Sequence, residues 1–146
     1  MRLVGVILIF ITGMMTSCTN NTNEDLITIL NYLDTRGLVA VDTAGVFVVI
    51  GTPGTTDRPK ENSTIKLTYK GYYIDGEVFD QSSPDQKTLL KLSSSIEGLR
   101  YGLAKFGKNS TGSILIPSDL GFGNNAPFGV RRNAILIYDV QVSDFN

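Results

Sequence analysis

The run from Thr64 to Asp80, TIKLTYKGYYIDGEVFD, admits few conformations. Ile65, Leu67, Tyr69 and Tyr73 fall on one face of an extended chain and Lys66, Thr68 and Lys70 on the other, the period of two of a half-buried antiparallel strand. Asp75-Gly76 follows as a turn, because Gly accepts a positive φ without a Cβ clash and Asp tolerates it better than most residues. The chain then returns through Val78-Phe79-Asp80. A regular two-residue turn would set Phe79 opposite Tyr72, on the face away from Tyr69; a three-residue turn with a bulge at Gly76, or a break near Gly71, would put both rings on one side.

At 146 residues the chain has room for one ordinary domain and a short extension. The 13 basic and 14 acidic residues are scattered without blocks, which leaves no surface for a nucleic-acid partner. His is absent and Cys18 is the single thiol, so zinc clusters, disulfides and Ser-His or Cys-His catalysis are excluded together. No cofactor and no metal are called for. Fifteen glycines, with many Thr, Ser and Asn, point to a turn-rich β protein.

The N-terminus adds a location. Met1-Arg2 precedes an apolar run from Leu3 to Ile11 that is shorter than the roughly 20 residues needed to span a bilayer. Met15-Thr16-Ser17-Cys18 then resembles a bacterial lipoprotein signal, with small residues before a cysteine that becomes the lipidated first residue. The alternatives are a membrane-anchoring helix or a chance cysteine. The lipoprotein resemblance implies a signal peptide over residues 1–17, a lipidated Cys18 with a polar tether over 18–23, and anchoring by acyl chains. Thr19, where an Asp would retain an enteric lipoprotein at the inner membrane, favours the outer membrane, with periplasmic or surface face open. Asp42-Thr43-Ala44 resembles an O-glycosylation motif of Bacteroidetes, a hint of source.

Residues 24–45 read as a helix and its connection. Leu26, Ile29, Leu30 and Leu33 recur at helical spacing from Glu24 to Gly37, with Asn23 as a candidate cap, and this apolar face must cover either its own domain or a partner. Residues 46–146 then form the main domain: short strands at Val46 to Ile50, across the hairpin, at Leu89 to Leu92, at Ser113 to Ile116 and at Ala134 to Val142. The last is apolar on both parities, as a central strand should be. Ile96, Leu99, Leu103 and Phe106 mark one internal helix of about ten residues, with Ser93 to Ser95 as candidate caps and Gly107 as its stop. The expected class is α+β: an antiparallel sheet of about five strands with one short helix against one face, preceded by an amphipathic helix.

Three pieces in order carry a resemblance: Tyr69-Lys70-Gly71 with Gly76 to Asp80; Ile96-Glu97-Gly98; and Ile116-Pro117-Ser118-Asp119-Leu120-Gly121-Phe122-Gly123 leading to Asn133-Ala134. With Ile137-Tyr138-Asp139-Val140 at the end, they resemble the FK506-binding-protein (FKBP-type) family of peptidyl-prolyl cis-trans isomerases. The resemblance implies a strongly bent antiparallel sheet wrapped around the short helix, with a shallow apolar pocket between them. It places Tyr69, Phe79, Asp80, Ile96 and Tyr138 at pocket positions where the chemical type is kept. Leu99 stands in place of the floor Trp, Phe122 of the loop Tyr, Ser95 of a Val, and Val130-Arg131-Arg132 of Ile-Pro-Pro. A pocket shared by Phe79 and Tyr69 requires the hairpin to be irregular.

The implied chemistry needs no nucleophile. An X-Pro amide isomerises slowly because it must lose its resonance, and an apolar pocket that strips water from it disfavours the planar ground state relative to the twisted one. Phe79, Tyr138 and Leu99 would enclose the prolyl ring, the Ile96 N–H would hold a carbonyl, and Tyr69 would steady Asp80. The expected partners are proline-containing segments of exported or outer-membrane clients. The substitutions at Leu99 and Phe122 predict a weak isomerase, or an accessory or scaffolding lipoprotein of an outer-membrane complex that has kept the fold and lost the catalysis. The plainer alternative for the hairpin aromatics is an ordinary β core.

Overall fold

The computed structural model describes residues 21–146; the apolar start, Cys18 and the first part of the expected tether lie outside the described residues. The elements run α1 (Asn21–Thr35), β1 (Val41–Thr43), β2 (Val46–Thr52), β3 (Thr64–Tyr73), β4 (Val78–Gln81), β5 (Thr88–Lys91), α2 (Glu97–Leu103), β6 (Ser110–Ile116) and β7 (Leu136–Phe145). The fold is α+β, a curved antiparallel sheet with two helices. The sheet has seven strands, where the sequence suggested about five, in the order β1-β2-β6-β7-β3-β4, with β5 also paired to β3. The strand that spacing did not reveal is β1, three residues joined to β2 through Ala44 and Gly45, both at positive φ. It is too short to show a period.

Strand β3 organises the sheet. One edge pairs with β7 along its whole length; the other is shared between β5, opposite Thr64 to Leu67, and β4, opposite Lys70 to Tyr72. Register shifts at Lys66/Leu67 and Gly71/Tyr72 in β3, and at Ile50/Thr52 in β2, mark the irregularities that let such a sheet bend.

Helix α2 lies on one face. Gly98 and Gly102, one turn apart, let it come so close that a Cβ at either would stand 2.2 Å from Ile116 Cγ2 or 2.4 Å from Ile114 Cγ2. The helix has seven residues rather than about ten, and its N-cap is Ile96, without a side-chain cap. The serines expected to cap it do otherwise: Ser95 Oγ donates to Leu92 O at 2.7 Å and closes the 3-10 turn Leu92–Ser94. Gly107 lies beyond the helix end, against Thr55, whose carbonyl oxygen would be 2.0 Å from a Cβ there.

The opposite face is covered by α1. Ile29 and Leu33 are buried with Phe47, Leu115, Ile135 and Ile137, a second core separate from the one under α2. Leu26 and Leu30, expected on the same buried stripe, are exposed. The helix begins at Asn21, so residues 21–23 form its first turn rather than a tether, and Asn23 lies within it rather than capping it. Its end follows the sequence closely: Gly37 at φ +59 lets the Leu38 N–H reach back to Leu33 O at 2.9 Å.

Candidate functional site

The hairpin between β3 and β4 is irregular twice. Its turn holds three residues, Ile74, Asp75 and Gly76, closed by Tyr73 N–H to Glu77 O and Gly76 N–H to Tyr73 O, both 2.9 Å, with Gly76 at φ +91. The pairing then steps from Tyr72–Val78 to Gly71–Asp80, leaving Phe79 as the extra residue of a bulge. This step carries the Phe79 ring over Gly71, where a Cβ would meet Phe79 Cζ at 2.8 Å and Tyr138 Cε1 at 3.0 Å. Phe79 packs edge-on against Tyr138, with ring centres 5.6 Å apart, and Tyr138 lies 6.1 Å from Tyr69. The three rings share one side of the sheet.

A cavity of about 220 Å³ opens beside them. Six of the seven residues singled out from sequence line it: Tyr69, Asp80, Ile96, Leu99, Phe122 and Tyr138. Phe79 is not among them; half-buried, it packs edge-on against Tyr138, with the Tyr73 ring centre 4.9 Å away. The lining also includes Ser95, where the resemblance has a Val, and Leu67, Leu90, Ser94, Leu103 and Val140, which sequence reasoning did not single out. Leu67 and Val140 lie two residues from Tyr69 and Tyr138 on their strands, and Leu103 one helical turn from Leu99, so periodicity alone places them on the same faces.

Few polar groups face this space. Tyr69 Oη donates to Asp80 Oδ2 at 2.9 Å, joining β3 to β4 across the bulge. Burial first, then the hydrogen bond and charge of Asp80, push the Tyr69 phenol up to about 12. Burial, reinforced by Asp80, Tyr69 and Tyr73, drives the Tyr138 phenol higher still, so both hydroxyls are neutral donors at any ordinary pH. The backbone of Tyr69 is fixed by Ser82, whose Oγ accepts its N–H at 2.9 Å and donates to its carbonyl at 3.2 Å. Ile96, just before the first turn of α2, keeps an N–H that donates to no group among the described residues. An apolar cavity with neutral hydroxyls, one carboxylate and a free N–H can hold and desolvate an amide; it has no group placed for nucleophilic attack.

The loop over residues 117–135 forms the remaining wall. The Gly98 N–H bonds Leu120 O at 2.8 Å and the Asn133 N–H bonds Gly123 O at 2.8 Å, which sets Phe122 at the cavity. From α1, Asp25 Oδ2 accepts the Ser118 N–H at 2.8 Å. Arg131, where the resemblance has a Pro, is bonded to the hairpin turn: Nη1 to Asp75 Oδ2 at 2.6 Å, Nη2 to Glu77, and its backbone N–H to Tyr73 Oη at 2.8 Å.

A family model of the FKBP-type peptidyl-prolyl cis-trans isomerases matches residues 55–143. Over 110 residues the chain is 31% identical to the FKBP-type peptidyl-prolyl cis-trans isomerase FkpA of Escherichia coli (strain K12), covering 75% of this chain and 40% of that protein. It is 32% identical to a probable FKBP-type peptidyl-prolyl cis-trans isomerase of Haemophilus influenzae, covering 74% and 46%. With the outer membrane protein MIP of Legionella longbeachae the identity is 28%, covering 73% and 46%. The chain thus spans less than half the length of these curated relatives. The crystal structure of FkpA from Escherichia coli superposes with a TM-score of 0.75 at 25% identity, covering 88% of this chain and 60% of that one. A peptidyl-prolyl cis-trans isomerase from Pseudomonas syringae pv. tomato shares the fold at the same TM-score and 23% identity, covering 86% and 93%.

Proposed function

The chain belongs to the FKBP-type peptidyl-prolyl cis-trans isomerase family, and from that we propose that it is a folding factor that binds X-Pro segments of exported proteins in the cavity at Tyr138 and isomerises them weakly. The observation that carries this reading is the cavity itself, apolar on most sides and bordered by the Tyr69–Asp80 hydrogen bond and the Ile96 N–H. In this reading the prolyl ring sits between Tyr138 and Leu99, with the Ile96 N–H donating to a substrate carbonyl. Tyr69 holds Asp80 at the rim, and Phe79 backs the Tyr138 wall. Desolvation of the amide, rather than proton transfer, lowers the barrier.

Weakness follows from the floor and the loop. Leu99 in place of Trp removes a stacking face, worth roughly 1–3 kcal/mol of ligand affinity, and Phe122 in place of Tyr removes a hydrogen bond worth about 0.5–1.5 kcal/mol. Together these losses reduce binding by tens to thousands of fold. A proline-limited refolding assay, run beside an unaltered member of the family, tests this directly. Acceleration equal to that of the comparator would overturn weak activity, and none at all would leave only binding.

The same reading includes attachment to the cell envelope through a lipidated Cys18, on the outer membrane. Cys18→Ala should move the protein from the membrane fraction to the soluble one, and an unchanged distribution would refute lipid anchoring. A second reading, an accessory lipoprotein of an outer-membrane complex, is favoured by Ile27 and Leu30, which are 60% and 47% exposed on α1. Purification from the envelope separates the two: a stoichiometric complex supports the accessory role, and the chain running alone supports the folding factor.

A further inference from the structure

The two walls of the cavity meet outside it at one side chain. The hairpin wall carries Tyr69 and Asp80 inward and ends at the turn, with Asp75 in it and Glu77 just after it; the loop wall carries Phe122 inward and includes Arg131. Arg131 holds them together by three hydrogen bonds and a stack. Its guanidinium fork takes one carboxylate on each arm, its N–H donates to Tyr73 Oη, and its Cζ lies 4.3 Å above the centre of the Tyr73 ring. Tyr73 is 2% exposed and packs on Phe79, which packs on Tyr138. A continuous set of contacts therefore runs from an exposed arginine to the cavity wall. The fork is specific to this residue type, because a Lys ammonium cannot place two donors and a planar stacking face at once.

We propose that Arg131 is a positioning residue: it latches the 117–135 loop to the hairpin turn and thereby fixes Phe122 and Tyr138 at the separation that binds a prolyl segment. The effect on binding rests on the isomerase reading; the latch itself does not. In the resemblance this position belongs to a proline, which stiffens a loop from within, whereas here the loop is held from outside by ion pairs.

The test uses the full chain as wild type, Arg131→Ala, Arg131→Lys and the double variant Asp75→Asn/Glu77→Gln, which removes the acceptor charges while leaving Arg131 in place. Amide hydrogen exchange reads the latch, and titration with a proline-containing peptide reads the site. Arg131→Ala and the double variant should speed exchange over residues 117–135 roughly three- to tenfold and weaken peptide binding by a similar factor. Exchange in β6 and β7 should be unchanged, and Arg131→Lys should fall between. Unchanged loop exchange in both disrupting variants would overturn the latch. Faster exchange with unaltered peptide affinity would overturn positioning. A wild type that binds no proline peptide would defeat the isomerase reading and the positioning role together, while the exchange data would still decide the latch.

Discussion

Leu99 sits at the floor of the cavity, 8% exposed, between α2 and the sheet, where the family pattern has Trp. Its position was legible from the helical spacing that starts at Ile96, and its consequence is local: the floor is lower and offers no ring to stack on. Leu99→Trp should raise affinity for a proline-containing peptide about tenfold in a titration. Unchanged affinity in a folded variant would show that the floor does not limit binding. Phe79 was less legible. Its identity marks the family, but the bulge that lays its ring over Gly71 beside Tyr138 depends on how Gly71 meets two rings, a tertiary fact that no strand period encodes. Tyr69 gives a second prediction. Its phenol rises from 10.0 to about 12, so the folded state holds that proton more tightly than the unfolded chain does. The resulting stabilisation is complete below pH 10 and is lost as pH climbs from 10 towards 12. Stability measured across that window should fall less steeply in Tyr69→Phe than in wild type; identical slopes would mean that the folded state does not hold the phenol proton more tightly than the unfolded chain.

Elements were read well where they are long and poorly where packing overrides propensity. Strand β3 announces itself by alternation and β7 by a continuous apolar run, whereas β1 has three residues and exists only because β2 pairs with it. The α2 helix shows the opposite tension. Its two glycines each cost about 0.5–1 kcal/mol of helix stability relative to Ala, yet any Cβ there would run into Ile114 or Ile116. Close approach wins. Gly102→Ala should therefore destabilise the protein by roughly 1–3 kcal/mol in denaturant unfolding, despite the better helix former. A stabilised variant would show that α2 can lift off β6 at little cost. Such a helix owes its ends to the sheet, which is why spacing overestimated its length.

At the scale of the whole molecule, the two cores are two sides of one sheet. Ile114, Ile116, Leu136, Tyr138 and Val140 face α2 and the cavity, while Leu115, Ile135 and Ile137 face α1 from the same two stretches of chain. This is the physical reason that the last strand is apolar on both parities: neither face of the sheet's centre meets water. Sequence left the apolar face of the amphipathic helix to cover either its own domain or a partner, and the burial of Ile29 and Leu33 shows that it covers the sheet. A helix that shares strands with the cavity cannot unfold as a separate unit without exposing the second core. Denaturant unfolding of the chain should then be a single transition by every probe. Ile29→Ala should lower its midpoint by a cost of about 2–5 kcal/mol with an unchanged slope, and Leu30→Ala, next along the helix but 47% exposed, should shift it far less. Two separate transitions, or equal effects of the two variants, would show that α1 is only laid against the sheet, and that the cavity is built by the strands and α2 alone.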